Sequence, residues 1–273
     1  MKHKIIQKID ALPPLPQTLL KLEKFKNQKS QEPKDLIKVL EKDPLILATL
    51  LKISNSAMFG FRNKVETAQK AIELIGINFT LSISFGSAIK STLNTSLDAY
   101  NLTSDQFIEI SSLSSNILHK WVGAWDVKLK DELLLPVFLQ DVGKFILSDL
   151  ASEKSLSADF YEKIKNDISN IDDIELEYFE ITTSKVSASM FEQWKLDNKL
   201  VCIIENMSDI DNCPKEYLKE VQILNIIRIL SNCIEPLSQD SIDLALKKAE
   251  EYNLDTASLQ KAITLMQDRL LDA

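Results

Sequence analysis

Apolar residues recur every three or four positions along most of the chain, the spacing that lays one apolar stripe along an α-helix. Pro33 opens a segment carrying Leu36, Ile37, Val39 and Leu40, and Asp43-Pro44 stops it and starts another. An aspartate carboxylate caps free helix amides, and a proline at the first helical position gives up no hydrogen bond. The pair therefore predicts a helix through Leu45, Leu47, Leu50, Leu51 and Ile53 to about Ser56. A further helix is predicted from Thr67 to Ile75, with Gly76 as a left-handed cap. Residues 77–92, apolar but rich in serine, read as a buried helix. Residues 104–125 are long and periodic through Phe107, Ile108, Leu113, Ile117 and Leu118. Residues 130–150 follow, where Pro136 predicts a kink or a break. Shorter helices are expected at 158–170, 172–180, 183–194 and 197–207. A long apolar helix at 215–234 is closed by Glu235-Pro236, and a final pair covers 238–253 and 255–271.

Asn-Gly and Asp-Gly turns are absent and no strand hairpin is visible, so the fold class is all-α. Residues 12–92 read as one helical lobe and 103–210 as a second. The turn-rich stretches 93–102 and 208–214 read as connectors.

Composition narrows the chemistry. The chain has 273 residues, 45% of them hydrophobic, which is ordinary for a globular protein. Its five glycines are scattered, which excludes phosphate-binding glycine loops, a dinucleotide fingerprint and a G-x-S-x-G elbow. Three isolated cysteines form no C-x-x-C pair and fit a reducing compartment better than a disulfide framework. Two histidines, His3 and His119, cannot build a histidine-rich metal site. His119, near Trp121 and Trp125, reads as packed against an aromatic neighbour or exposed. The start lacks the apolar run of a signal peptide, and no stretch approaches the roughly 20 apolar residues of a membrane span. The expected location is cytoplasmic.

Charge is uneven. Residues 1–34 hold eight lysines and three acids, a net of +5, whereas 149–180 hold ten acids and three lysines, a net of −7. The basic start reads as a solvated helix face. A sequence pI near 5.0 argues against nucleic acid as a partner, because phosphate contacts need a concentrated basic surface.

A set of short strings in the first lobe adds a family reading. It runs Leu12-Pro13-Pro14-Leu15-Pro16, then Asp43-Pro44, Leu50-Leu51, Asn55-Ser56 and Gly60, then Ala71-Ile72-x-Leu74-Ile75-Gly76. In order and spacing it resembles the bacterial HDOD family, signalling domains related to the HD-type metal-dependent phosphohydrolases. The resemblance covers about residues 1–210 and implies a multi-helical HD-like bundle in two lobes, with residues 211–273 as additional helices packing on or extending the second. The same residues read physically as fold determinants: prolines hold an extended approach, and Asn55 and Ser56 bond carbonyls freed at a helix end.

In active HD relatives a His-Asp pair, a second His and a distant Asp hold divalent metal. Here the resemblance places Gln140-Asp141 at the pair, within Leu139-Gln140-Asp141-Val142-Gly143-Lys144. It places Ser111 or Ser112 at the earlier His, Asn225 at the late Asp, and Thr183 and Glu205-Asn206 at further His positions. Only Asp141 survives clearly, and an amide is a poor metal donor beside imidazole. Asp141 and Lys144, three apart, are expected to pair. The expected reading is a pseudoenzyme: a non-catalytic regulatory protein with no catalytic residue, metal or cofactor. It binds a signalling protein partner, or a nucleotide-type ligand without turnover. A second reading is a divergent metal-dependent phosphohydrolase acting on a nucleotide or cyclic dinucleotide.

Overall fold

Helices form where the apolar stripes lie in the computed structural model of the protein, which describes residues 1–93 and 95–271. The chain opens on α1 (Lys2–Asp10) and α2 (Gln17–Lys26), separated by the proline stretch. The indole of Trp194 donates to the Pro13 carbonyl at 3.0 Å and holds that stretch in place. Next come α3 (Pro33–Leu40), α4 (Pro44–Ser54), α5 (Ala68–Ile75) and α6 (Ile77–Leu93). Asp43 accepts the Ile46 amide at 3.2 Å and the Thr18 hydroxyl at 2.9 Å, so one carboxylate caps α4 and ties it to α2. Asp43→Ala is expected to cost about 1 kcal/mol of stability, read as a lower urea midpoint. Asn55 closes α4 by bonding the Leu51 carbonyl and both backbone groups of Val65, and Ser56 bonds the Ile53 carbonyl.

The second half holds α7 (Ser104–Trp121), α8 (Val127–Leu139), α9 (Lys144–Glu153), α10 (Ser157–Asn166), α11 (Ile171–Phe179), α12 (Thr183–Gln193) and α13 (Asn198–Glu205). It ends on α14 (Leu218–Leu230), α15 (Gln239–Glu251) and α16 (Thr256–Leu271). Among the described residues there is no strand, only an isolated bridge between Leu97 and Leu102. No helix among them is long and apolar enough to cross a membrane.

One apolar core runs from Ile5 to Met266. Its centre is α6, buried on every side from Phe79 to Ile89, which packs on α8, α4, α2, α5 and α7. The hydroxyls of Thr80, Ser82 and Ser84 bond carbonyls four residues back, so a helix this polar is buried without orphaned hydroxyls at those positions. Gly86 lets Phe138 of α8 lie against the α6 backbone; a Cβ there would meet its ring at 2.3 Å.

Three sequence expectations need correction. Of the kink or break expected at Pro136, the break does not occur there: α8 continues to Leu139, and the stretch 130–150 divides instead at residues 140–143. The helix expected at 215–234 is shorter, since the Asn232 side chain takes the amides of Ile234 and Glu235 out of the helical ladder. Gly76 has φ +83° with ψ 164°, so it turns the chain through a glycine-favouring conformation other than the left-handed helical one. The connector 93–102 packs into the core through Leu97, Ala99 and Tyr100, while Asn94 lies outside the described residues.

Helix α1, part of the basic start read as a solvated helix face, also has a buried side, formed by Ile5 and Ile9. It packs on α9 and α12. There Lys8 lies 2.5 Å from both Asp149 and Glu153, so part of the basic start is neutralised by the acidic segment of the same chain.

Candidate functional site

The turn between α8 and α9 carries Gln140-Asp141-Val142-Gly143, and its position depends on Gly143. A Cβ at Gly143 would stand 2.4 Å from the Thr183 carbonyl oxygen and 2.8 Å from the Ser187 amide nitrogen. Without one, the turn rests on the start of α12. The Gly143 amide donates to Ser187 Oγ at 2.8 Å, and that hydroxyl donates to the Gln140 carbonyl at 3.1 Å.

Asp141 and Lys144 pair as expected, with Nζ 2.5 Å from Oδ1 and side chains 11% and 3% exposed. Arg228 of α14 reaches the same oxygen through Nε at 3.2 Å. Its Nη1 lies 2.8 Å from Asp172 Oδ1 and donates to Oδ2 at 2.9 Å. One guanidinium therefore joins Asp141, at the α8–α9 turn, to Asp172 at the start of α11. Beneath them is Glu175, fully buried, which accepts from the Thr183 hydroxyl at 2.6 Å, the Thr183 amide and the Tyr100 hydroxyl at 2.9 Å. The Lys144 ammonium sits 5.4 Å from the centre of the Tyr100 ring.

Burial alone would raise the Asp141 pKa, but the charges of Lys144 and Arg228 outweigh it and hold the carboxyl below its ordinary value. Its pairings therefore contribute stability above pH 3.8 that is lost as the pH falls through the depressed native value. Burial disfavours a charged Lys144, yet Asp141 keeps its pKa above the usual lysine value. Arg228 is likewise raised, by Asp172 and Asp141 against burial. Glu175 goes the other way: burial lifts it above the usual carboxyl value, against the pull of Lys144 and Arg228. Burial pushes the Cys233 thiol up to about 11, so it is neutral at pH 7.

These groups border a cavity of about 200 Å³ between the start of α9, the start of α11, and helices α14 and α15. Asp141, Lys144 and Asn225 line it together with Arg228, Asp172 and Lys248. Thr183 lies behind it, committed to Glu175. Gln140 is buried and does not line it, and its side-chain Oε1 has no partner. Glu205 is exposed and does not line it either, while Asn206 bonds the Cys202 carbonyl and ends α13. Ser111 and Ser112 are buried in α7, away from the lining. His119 is part-buried, with an unpartnered Nδ1 and a pKa lowered by burial.

The residues present do not fit a divalent metal ion. Asp141 Oδ1 already receives two cationic groups, the Thr183 hydroxyl is used, and Gln140 does not line the cavity. Among the described residues no three His, Cys, Asp or Glu side chains converge to hold one. The arrangement can instead fix charge: two cations and two carboxylates form a lattice at the floor of a polar cavity, largely buried except at Asp172.

Sequence reasoning missed Arg228, Asp172, Glu175 and Tyr100. Arg228 had a signal, as the single charge in the apolar run 221–234, three residues after Asn225. Asp172 and Glu175 are two among ten acids, with nothing to distinguish them.

The sequence profile of the HDOD domain matches residues 12–210. An HDOD domain protein of unknown function from Geobacter sulfurreducens has the same fold, with a TM-score of 0.67 at 13% identity over 98% of this chain and 96% of that one. A protein provisionally named a phosphohydrolase, from Shewanella amazonensis SB2B, gives 0.66 at 18% identity over 97% of each chain. At these identities the likeness carries the fold alone. An uncharacterised protein of Treponema pallidum (strain Nichols) is 20% identical over 231 residues. The match covers 78% of this chain and 40% of that protein, so the chain spans less than half the length of this curated relative.

Proposed function

The chain belongs to the HDOD domain family, and on that footing we propose that it is a non-catalytic regulatory protein of bacterial signal transduction. It acts in the cytoplasm by binding a signalling protein, or a small ligand without turnover, on a degenerate HD phosphohydrolase scaffold. One observation carries the reading: the surviving carboxylate of the hydrolytic set, Asp141, is bound on the same oxygen by Lys144 and Arg228. A metal ion entering there would have to displace a buried ammonium and a buried guanidinium, each of which would lose its counter-charge away from water. A hydrolytic site needs the opposite, a carboxylate open to metal and a metal-bound water.

A second reading, a divergent phosphohydrolase for a nucleotide or cyclic dinucleotide, is favoured by one feature. Asn225 Oδ1 is buried without a partner on a residue lining the same cavity as Asp141. The two readings separate on the purified full chain, incubated with Mn²⁺ or Mg²⁺, desalted, analysed for metal and assayed on nucleotide and cyclic dinucleotide substrates. The non-catalytic reading expects well under one metal ion per chain and no hydrolysis. Stoichiometric metal, with turnover abolished in Asp141→Ala, would establish the second reading in its place.

A further inference from the structure

The cavity above the ionic lattice has more positive than negative groups. Five charged side chains line it: Lys144, Arg228 and Lys248 against Asp141 and Asp172. Glu175 faces the lattice from below without lining the cavity, and the thiol of Cys233, on its wall, is neutral. The two carboxylates are used by Lys144 and by the Nε and Nη1 edges of Arg228. Two cationic donors are left over. Arg228 donates hydrogen bonds through Nε and Nη1 and none through Nη2, Lys248 Nζ pairs with no carboxylate among the described residues, and Lys248 meets only the Tyr252 ring, 5.9 Å away. A half-used guanidinium fork and an unpaired ammonium in one concave, partly desolvated site are the groups that recognise an anion. At about 200 Å³ the cavity falls below the roughly 300 Å³ at which drug-sized pockets begin. It fits a phosphoryl group with little attached, and excludes a dinucleotide from full enclosure.

We propose that this cavity binds the phosphoryl anion of a small molecule without metal, through Arg228 Nη2 and Lys248 Nζ. The proposal rests on the non-catalytic reading of the same site and names its ligand class. Two of its walls, α14 and α15, lie beyond residues 12–210 matched by the HDOD profile, so the site is completed by the C-terminal helices of this chain.

Inorganic phosphate and pyrophosphate are the probes, titrated calorimetrically into the full chain at low salt, once with EDTA and once with Mn²⁺. Saturable binding with EDTA is expected. Lys248→Gln, which removes a half-buried group with no ion pair, is expected to weaken it about tenfold or more. Asp172→Asn, which removes a lining negative charge and frees Arg228 Nη1, is expected to tighten it several-fold. A cation site would respond to that substitution in the opposite sense. No binding in either buffer, binding indifferent to Lys248→Gln, or weakening by Asp172→Asn overturns the proposal and leaves the non-catalytic reading standing. Binding that requires Mn²⁺ overturns both.

Discussion

Arg228→Ala is expected to lower the unfolding free energy by roughly 3–5 kcal/mol, the usual cost of removing one partner from a buried ion pair. The wild-type guanidinium is 11% exposed and serves two carboxylates, so its loss leaves Asp141 with Lys144 alone and Asp172 with no cation. Asp172 is 31% exposed, and water takes up part of its charge; most of the penalty falls on Asp141, which is 11% exposed. Arg228→Lys keeps the charge but cannot span both acids, so its loss is expected to be smaller. Urea unfolding at pH 7 measures both. The sign with pH follows from Asp141: its carboxyl is held below 3.8 by these cations, so the mutational loss is full at neutral pH and shrinks as acid protonates that carboxylate. A loss under 1 kcal/mol for Arg228→Ala at pH 7 would mean that solvent screens the lattice and that its burial does not govern its energy.

Gly143→Ala is expected to cost about 3 kcal/mol, the upper part of the range for overpacking. The added methyl would stand 2.4 Å from the Thr183 carbonyl oxygen and 2.8 Å from the Ser187 amide nitrogen. Both are backbone atoms at the start of α12, so no rotamer relieves the clash, and the turn must lift from the helix. Lifting it also breaks the Gly143–Ser187–Gln140 hydrogen bonds and moves Asp141 relative to Arg228. Gly123→Ala is the matched control. There the nearest atom is the Lys130 Cδ at 3.2 Å, on a flexible side chain that can swing aside, and a change near zero is expected. Equal stability losses in the two variants would show that the close approach at Gly143 is not what limits the packing.

The reach of the sequence differs from element to element, for physical reasons. Local signals were read well where the chemistry is local. Asp43 caps α4, Asn55 closes it, and Asp141 finds Lys144 three residues away on the same turn. The buried serine-rich helix was also legible, because its hydroxyls bond their own backbone and need nothing from elsewhere. Signals failed where a distant group decides. Nothing near Pro136 says that α8 will carry it to Leu139 inside the core. The end of α14 is set by an Asn232 side chain competing for backbone amides. The candidate site divides in the same way. The scarcity of histidine is visible in a count of two, whereas the cations on Asp141 come together only in the fold, one from 3 residues away and one from 87.

The Lys8 bridge links this site to the start of the chain. Helix α9 carries Lys144 on its first turn and Asp149 and Glu153, the acids that grip Lys8, toward its other end. Its ten residues make a rod about 15 Å long, too short to flex appreciably along its length. The ammonium under the cavity and the acids that hold the first helix are therefore carried by one short, continuous element.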